Sequence, residues 1–448
     1  MRRNGDMFKR KIYDKLLQWK QDSDGHTALL IEGARRIGKS TIVEEFAKNE
    51  YDSYILIDFS MVPQSIRDLF SDVSELNYLF LQLQLQFRVD LIERKSLIIF
   101  DEVQFCPRAR QAIKHLVKDH RYDYIETGSL ISIQKNVKDI LIPSEERRIQ
   151  MYPMDYEEFL WALGDSSTYN LIRQFYEAGR PLGQQINRKL MRDFRLYMLV
   201  GGMPQAVQEY IDTNNFRLVD LVKRDIITLY EDDFQKIDPT GKASLLFDAI
   251  PAQLNKNASR YQVSSVLSNS RAADVLELIG KMKDSKTVLV SYHTDDPNAG
   301  LSAHKDLAIF KLFVCDTGLF TTLMFKDKDF TENIIYEKLL NDKLASNLGY
   351  LYENITAQIL TANGDELFYY TFPNENGTHN YEIDFLLSRK NKICPIEVKS
   401  SRYKTHASLD AFIKKFSGRL LWKYMVYTKD YAKDEEIICL PAYMVPFV

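Results

Sequence analysis

Cysteine is scarce in this sequence, and the few cysteines lie far apart. The four are Cys106, Cys315, Cys394 and Cys439, with no C-x-x-C pair and no histidine at metal-ligand spacing. This distribution argues against a zinc site and against a disulfide framework. It predicts buried free thiols instead.

Long hydrophobic runs and an excess of charge of one sign are also missing. No apolar run approaches the roughly 20 residues of a membrane helix, and the basic N-terminal segment lacks the apolar core of a signal peptide. Lysine and arginine number 59 against 62 aspartates and glutamates, a formal charge of −3. The total charge therefore names no nucleic-acid or membrane partner, and we expect a cytoplasmic protein without membrane association.

The residues that are present predict a folded chain with several domains. Of the 448 residues, 45% are hydrophobic and 27% are charged, as in ordinary globular proteins, and the length suggests about three domains. In the first third, short apolar runs alternate with amphipathic stretches, which predicts a parallel sheet covered by helices. The predicted strands are residues 27–32, 54–59, 97–100, 122–126 and 148–152.

A glycine-rich loop follows the first predicted strand and precedes a helix. The segment GARRIGKS matches the pattern G-x-x-x-x-G-K-[ST], in which backbone N–H groups surround phosphate oxygens. Lys39 would reach the β/γ oxygens and Ser40 would ligate magnesium. An ordinary glycine-rich turn is the less favoured interpretation. The predicted ATP-binding residues are Gly33, Ala34, Arg35, Arg36, Ile37, Gly38, Lys39, Ser40 and Thr41.

Two carboxylates end an apolar strand further along the chain, in the segment LIIFDE. Asp101 is suited to hold magnesium together with Ser40, and Glu102 to act as the general base for the attacking water. A solvated acidic strand end is the alternative. The position two strands downstream of the glycine-rich loop favours the functional interpretation.

Polar side chains after the next strand are candidates to sense the γ-phosphate. Ser129 is the first choice and Thr127 the second, while a plain turn is the alternative. Arg147 and Arg148 precede the fifth predicted strand, where a guanidinium could reach the nucleotide of a neighbouring subunit. A solvated basic pair explains these two arginines equally well.

A second set of charged residues lies in two predicted strands near the C-terminus. Alternation along these strands predicts that Asp384, Glu397 and Lys399 share one face, and Glu353 on the preceding helix could join them. Such a group could hold magnesium and align water against a phosphodiester, with Asp384, Glu397 and Lys399 as catalytic residues and Glu353 as a further metal ligand. A cross-strand ladder of ion pairs is the alternative.

The chain is locally basic around this second set. Residues 388–428 contain ten lysines and arginines against Glu397 and Asp410, a net charge of +8. Contact with the backbone of DNA or RNA is one use of such a window. A solvated helix face is the alternative.

Together, these segments resemble a family of prokaryotic AAA-type ATPases of the AAA+ superfamily. Members carry a C-terminal domain of unknown function whose tail is similar to PD-(D/E)XK nucleases. This chain departs from the family at two points: Arg147-Arg148 replaces a common Gly-Arg, and Ile383 replaces the proline before Asp384. The matching segments are GARRIGKS, LIIFDE, YPMDYEEFLWA, YMLVGGMPQAV, FKLFVCDTGL, YEIDFLL and CPIEVKS.

The motifs and the resemblance together predict the architecture. We expect an α/β fold: a P-loop NTPase domain with a parallel sheet, a helical lid, a winged-helix-like middle region and a restriction-endonuclease-like α/β domain. The corresponding ranges are 1–153, 154–236, 237–334 and 335–448. For the middle region, two or three helices and a strand pair also describe many modules that do not bind DNA.

The predicted function is magnesium-dependent hydrolysis of ATP to ADP and phosphate, coupled to a nucleic-acid-directed, nuclease-like tail. The alternative is a slow ATP-dependent switch whose C-terminal regions bind DNA or a protein without catalysis. The expected cofactors are ATP and Mg²⁺, and the chain could form a homo-oligomer.

Overall fold

The computed structural model divides the chain into two compact units, Met1–Tyr152 and Pro153–Val448. It describes residues 7–128, 144–256, 258–268, 271–341, 348–401 and 403–448. The division at Tyr152 lies one residue from the predicted end of the first domain. The predicted boundaries after residues 236 and 334 lie inside the second unit, and that finer division stays a prediction.

The first unit alternates strands and helices along the chain. Helices α1 to α5 are Ile12–Ser23, Lys39–Glu50, Gln64–Asp68, Leu76–Phe87 and Pro107–Asp119. Strands β1 to β5 are Ala28–Glu32, Ser53–Asp58, Ser96–Asp101, Asp123–Gly128 and Glu146–Gln150.

The five strands form one parallel sheet in the order β2-β3-β4-β1-β5. This confirms the predicted parallel sheet. Strands β1, β3 and β4 are buried along their whole length, as expected for a sheet covered on both faces. Beside the sheet, Phe59, Phe70 and Phe100 pack edge to face with ring centroids 5.3 to 5.6 Å apart, which fixes the position of β3.

The second unit begins with helices and ends in a mixed sheet. Helices α6 to α12 are Tyr156–Ala162, Thr168–Ala178, Gln184–Val200, Pro204–Thr213, Phe216–Ile237, Lys242–Asp248 and Ile250–Asn255. Helices α13 to α17 are Ala272–Asp284, Thr317–Met324, Asn333–Leu340, Gly349–Ala362 and Ala407–Phe416. Strands β6 to β13 are Val288–Thr294, Lys305–Val314, Phe368–Pro373, Asn380–Arg389, Lys392–Val398, Lys423–Tyr427, Ala432–Asp434 and Ile437–Pro441.

These eight strands form a single sheet in the order β12-β13-β11-β10-β9-β8-β6-β7. The antiparallel pair β6–β7, which lies in the predicted winged-helix-like region, joins the C-terminal strands through β8. The C-terminal strands therefore do not form a sheet of their own. All four cysteines of the chain are buried and free, as the sequence predicts. None of the described helices has the length and apolarity to cross a bilayer.

Two glycine-containing motifs without an evident chemical role hold the second unit together. The buried carboxylate of Asp316 accepts hydrogen bonds from Gly202 N at 2.6 Å and Leu319 N at 3.0 Å. A Cβ atom on Gly318 would lie 2.5 Å from the carbonyl oxygen of Val200, so the two turns meet backbone to backbone. The segments GGMP and CDTGL thus join the end of α8 to the start of α14.

A buried lysine fastens the same junction from a third helix. Lys223 of α10 donates hydrogen bonds through Nζ to Leu199 O at 2.7 Å, Gly318 O at 3.2 Å and Tyr336 Oη at 3.1 Å. Burial lowers the pKa of Lys223 to about 8, although the nearby Asp220 and Asp316 carboxylates act in the opposite direction. All three of these hydrogen bonds are made to groups inside the fold, which favours a structural role for Lys223.

The close approach at Gly202 gives a test of this junction. We expect Gly202→Ala to lower the free energy of unfolding by about 1–3 kcal/mol, because the new methyl group would lie 2.1 Å from Met154 O. Gly280→Ala is the control, since α13 offers open space there; it should raise stability by up to about 1 kcal/mol. Urea unfolding followed by circular dichroism measures both, and equal midpoints for the two variants would contradict the proposed packing.

Candidate functional site

The glycine-rich loop connects β1 to α2 at the carboxyl edge of the parallel sheet. Gly38 precedes α2 with φ at 93°, a conformation that favours glycine, and in this described loop no side chain caps the helix. The first N–H groups of α2 therefore point toward the loop, where they can bind an anion. Gly33 is required for another reason, because a Cβ atom there would lie 2.4 Å from Met151 O.

Lys39 lies across this loop rather than in solvent. Its Nζ donates to Gly33 O at 3.0 Å and to Ala34 O at 2.8 Å, and the residue is only 9% exposed. The loop thus holds the ammonium beside the N-terminus of α2. A phosphate bound there would meet this fixed positive charge as well as the helix dipole.

Arg10, from the N-terminal segment, stabilises the glycine-rich loop through hydrogen bonds to backbone carbonyl groups. Its Nη1 donates to Ile37 O at 2.9 Å and its Nη2 to Tyr152 O at 2.7 Å. The guanidinium thereby ties the loop to the end of the first unit. The sequence analysis missed this residue, because Arg10 lies in a generally basic segment and no motif distinguishes it.

Three polar side chains meet at the end of β3. Ser40 Oγ donates to Asp101 Oδ1 at 2.8 Å, and Thr127 Oγ1 donates to the same oxygen. Asp101 is 6% exposed. In the sheet, β4 lies between β1 and β3, and this order brings Thr127 beside Asp101.

Glu102 follows directly, with a left-handed backbone at φ 52°. This conformation is costly for a residue other than glycine and occurs often at functional sites. Gln104 donates a hydrogen bond to Glu102 Oε2, which fixes the carboxylate. Of the two candidates for sensing the γ-phosphate, Thr127 contacts Asp101, whereas Ser129 lies outside the described residues.

The two candidate finger arginines lie on β5, which is an edge strand. Arg148 Nε pairs with Glu146 at 2.8 Å, and its Nη1 lies 3.6 Å from Glu32 Oε1. Arg147 is exposed and lies opposite Leu29 in the register. Arg148 is thus engaged within its own unit, whereas Arg147 forms no ion pair with the described residues. Their predicted role stays a prediction.

A buried ion cluster lies near β5 and was not predicted. The Arg110 guanidinium contacts Glu146 at 3.1 Å and lies 3.8 Å from Glu126. Burial, followed by the charge of Glu146, raises the pKa of Glu126 well above its usual range. Arg110 thus lies between the two carboxylates, and Arg148 also pairs with Glu146.

In the second unit, the charged residues predicted to form the second site belong to two separate groups of interacting side chains. Lys311 of β7 is buried and pairs with Glu382, while its Nζ lies 3.8 Å from Glu353 Oε2. Asp384 Oδ2 accepts a hydrogen bond from Val398 N at 2.7 Å. Burial, together with the charge of Glu353, raises the pKa of Asp384 well above its usual range. Lys311 was missed, although a lysine inside the apolar strand segment AIFKLFV is the signal that could have shown it.

Glu397 belongs to the other set. Its Oε1 lies 2.8 Å from Lys399 Nζ, and burial raises its pKa despite that ammonium. His406 and Asp410 are its next charged neighbours. Among the described atoms, Glu397 Oε2 is buried without a hydrogen-bond partner, a state that suits a metal ligand.

That Asp384, Glu397 and Lys399 share one face stays a prediction, and the register that pairs Ile396 with Phe385 brings Glu397 beside Asp384 on the neighbouring strand. The pairing of β8 with β9 is irregular at one point. From Phe368 to Tyr370, β8 advances by two residues while β9 advances by three, from Leu386 to Ile383, so β9 contains one extra residue there. The extra residue of β9 lies between the pairs Phe368–Leu386 and Tyr370–Ile383. Within the described ranges, no group of three or more histidine, cysteine or acidic residues is arranged to hold a metal ion.

Comparison with known families covers most of the chain in three parts. Residues 25–160 match the model of an AAA domain. Residues 191–329 and 348–444 match two domains of unknown function, DUF8612 and DUF4143. The first match and the geometry agree: residues 25–160 are similar to an AAA domain and carry the glycine-rich loop between β1 and α2.

Individual relatives are distant. An uncharacterised protein of Methanocaldococcus jannaschii is 22% identical over 277 residues, which are 58% of this chain and 54% of that protein. The chain thus spans about half the length of this curated relative.

Solved structures are similar in parts. A Walker-type ATPase of Pyrococcus abyssi is 16% identical, with 72% of this chain and 97% of that one covered and a TM-score of 0.44. The RuvB Holliday junction branch migration motor of Thermotoga maritima is 12% identical, with 63% and 89% covered and a TM-score of 0.28.

Proposed function

We propose that this protein is a magnesium-dependent ATPase. The contact of Ser40 and Thr127 with Asp101, beside the loop that holds Lys39, is the observation that carries the proposal. Magnesium would be held by Ser40 and Asp101 and would neutralise charge on the phosphate oxygens. Their oxygen donors are those that magnesium prefers, and the two residues already lie within hydrogen-bond distance.

The residues of the loop and of β3 then have distinct tasks. The backbone of residues 33–41 binds the phosphates, and Lys39 stabilises the charge that develops on them. Glu102 orients the attacking water and accepts its proton, since its backbone and Gln104 hold the carboxylate in place. Thr127 keeps Asp101 in the orientation that ligation requires.

Phosphate release by the purified chain tests this proposal directly. We expect ADP and phosphate to form with magnesium present, and the rate to fall to background when EDTA removes the metal. A slow switch predicts ATP binding with almost no release, so a nucleotide-binding assay is run on the same samples. Absence of ATP binding would overturn both versions.

We further propose that the C-terminal part of the second unit is a nuclease-like module that the helices of residues 154–236 couple to ATP. The buried, unpartnered oxygen of Glu397 supports this proposal, and so does the high pKa of Asp384, which a bound cation would lower. Lys399 would stabilise charge on a phosphodiester. The two separate sets of partners favour binding without cleavage over efficient cleavage.

Manganese titration of the full chain without nucleotide distinguishes these alternatives. If Glu353, Asp384 and Glu397 converge on a cation, calorimetry should show binding that Asp384→Asn weakens by roughly 10–100-fold. Glu375→Gln, at an exposed position, is the matched control. Equal heats for wild type and both variants would reduce these residues to a network of ion pairs.

A further inference from the structure

A cleft in the second unit is lined by α8 on one side and by the segment after β11 on the other. Its volume is about 810 Å³, and four of its lining residues carry positive charge: Arg188, Arg192, Arg195 and Lys429. A volume of this size lies in the range of sites that take small organic ligands. The charge of the lining indicates an anionic ligand.

The three arginines form a row on one face of α8. They are spaced four and then three residues apart, which places them on the same side of the helix over about 10 Å. The opposite side of α8 is buried through Leu190, Phe194 and other apolar residues. The helix therefore presents a line of guanidinium groups along the cleft.

Little acidic charge in the cleft is free to neutralise this row. Asp430 is the one acid among the described lining residues, and its carboxylate already accepts from Leu182 N at 3.0 Å and Gly183 N at 2.6 Å. In the part of the chain that the structure describes, neither Arg188 nor Arg192 forms an ion pair with a carboxylate within 4.0 Å. Both are exposed.

Arg195 is fixed rather than free. Its Nε donates to Tyr352 Oη at 3.0 Å, which holds the guanidinium at the wall of the cleft. The adjoining smaller cleft shares Arg192 but is also lined by the acidic residues Asp193 and Glu337, so the excess of positive charge lies in the larger cleft.

The basic window in the C-terminal sequence is different. Several of its cations are paired with carboxylates: Arg389 with Asp365, Lys399 with Glu397, Arg419 with Asp296, and Lys423 with Glu436. A paired cation contributes less binding free energy to a phosphate contact than an unpaired one, because its ion pair with the carboxylate must first be broken. Arg188 and Arg192 of α8 lie outside that window, and among the described residues neither is paired with a carboxylate.

We propose that this cleft binds a single-stranded nucleic-acid segment, with Arg188, Arg192 and Arg195 on successive backbone phosphates. Guanidinium groups suit phosphate because they can donate two parallel hydrogen bonds. Tyr403 at the cleft is half-buried, and Lys429 Nζ lies 5.4 Å from its ring centroid. A positive groove with an aromatic ring at its side is the arrangement that binds single strands without sequence preference.

The test uses the full chain without nucleotide or magnesium, so its result is independent of ATP hydrolysis. Fluorescence anisotropy measures binding of a labelled single-stranded oligonucleotide of mixed sequence at several salt concentrations. The double variant Arg188→Ala/Arg192→Ala should bind roughly tenfold or more weakly. The slope of log affinity against log salt should become shallower by about 1.4, at about 0.7 per lost phosphate contact.

Lys189→Ala is the matched control, because Lys189 is exposed on the same helix but does not line the cleft. It should bind as wild type does, and Arg188→Lys/Arg192→Lys should retain the wild-type salt slope. Equal binding by the alanine double variant would overturn the proposal, as would no binding by wild type. Preference for a duplex or for polyglutamate would also overturn it, the latter indicating an acidic protein partner.

Discussion

Lys39→Ala is expected to abolish the stabilisation of the protein by ATP. For the wild type, ATP at a hundred times its dissociation constant should add about 2.7 kcal/mol to the free energy of unfolding of the domain that binds it. The variant lacks the ammonium that Gly33 O and Ala34 O hold beside the phosphate site. Its melting temperature should therefore not respond to ATP in a thermal shift assay.

The control for this experiment is Lys48→Ala, on the exposed side of the same helix. Lys48 pairs with Glu44 one turn away, at 2.8 Å, and such a solvent-exposed pair contributes little to stability. This variant should keep the full response to ATP. Wild-type ATP affinity in Lys39→Ala, measured by calorimetry, would remove the loop from the binding site.

Glu102→Gln is expected to leave ATP binding intact while it lowers the rate of hydrolysis by roughly 10²- to 10⁴-fold. The amide keeps the shape of the carboxylate but cannot accept the proton of the attacking water. Steady-state phosphate release measures the rate, and calorimetry confirms that the dissociation constant is unchanged.

Glu93→Gln serves as the matched control, because Glu93 is an exposed glutamate of the same unit. It should hydrolyse ATP at the wild-type rate. A Glu102→Gln variant as fast as this control would show that another group activates the water. If Glu102→Gln also lost ATP binding, Glu102 would instead have a structural role in forming the ATP-binding site.

The two experiments also separate the two proposed activities. An ATPase loses turnover in Glu102→Gln, whereas a slow switch shows little turnover to lose and depends only on binding. Neither variant changes the charge of the cleft beside α8, so oligonucleotide binding should persist in both. Loss of oligonucleotide binding in Lys39→Ala would indicate that the substitution also disturbs the second unit.

The parallel sheet of the first unit could be predicted because its information is local. Strands β1 to β3 are built on short apolar runs. The glycine-rich loop is contiguous, so the strand, the turn and the helix start can be recognised within residues 27–41. Asp101 and Glu102 could be proposed for the same reason, since they end an apolar strand. The burial of the four cysteines could also be predicted, because it follows from residue type alone.

The sequence by itself thus determined the class of the first domain and the positions of its phosphate-binding loop and strand-end carboxylates. Only the tertiary structure decided which distant residues support them. Arg10 reaches Ile37, Thr127 reaches Asp101 through the order of strands, and Lys311 reaches Glu382 across the second sheet. Asp384 accepts from the Val398 amide while Glu397 pairs with Lys399, and α8 brings its arginines into one cleft with Lys429. Local patterns record the period of a helix or strand, whereas these contacts depend on strand order, register and packing between segments far apart in the chain.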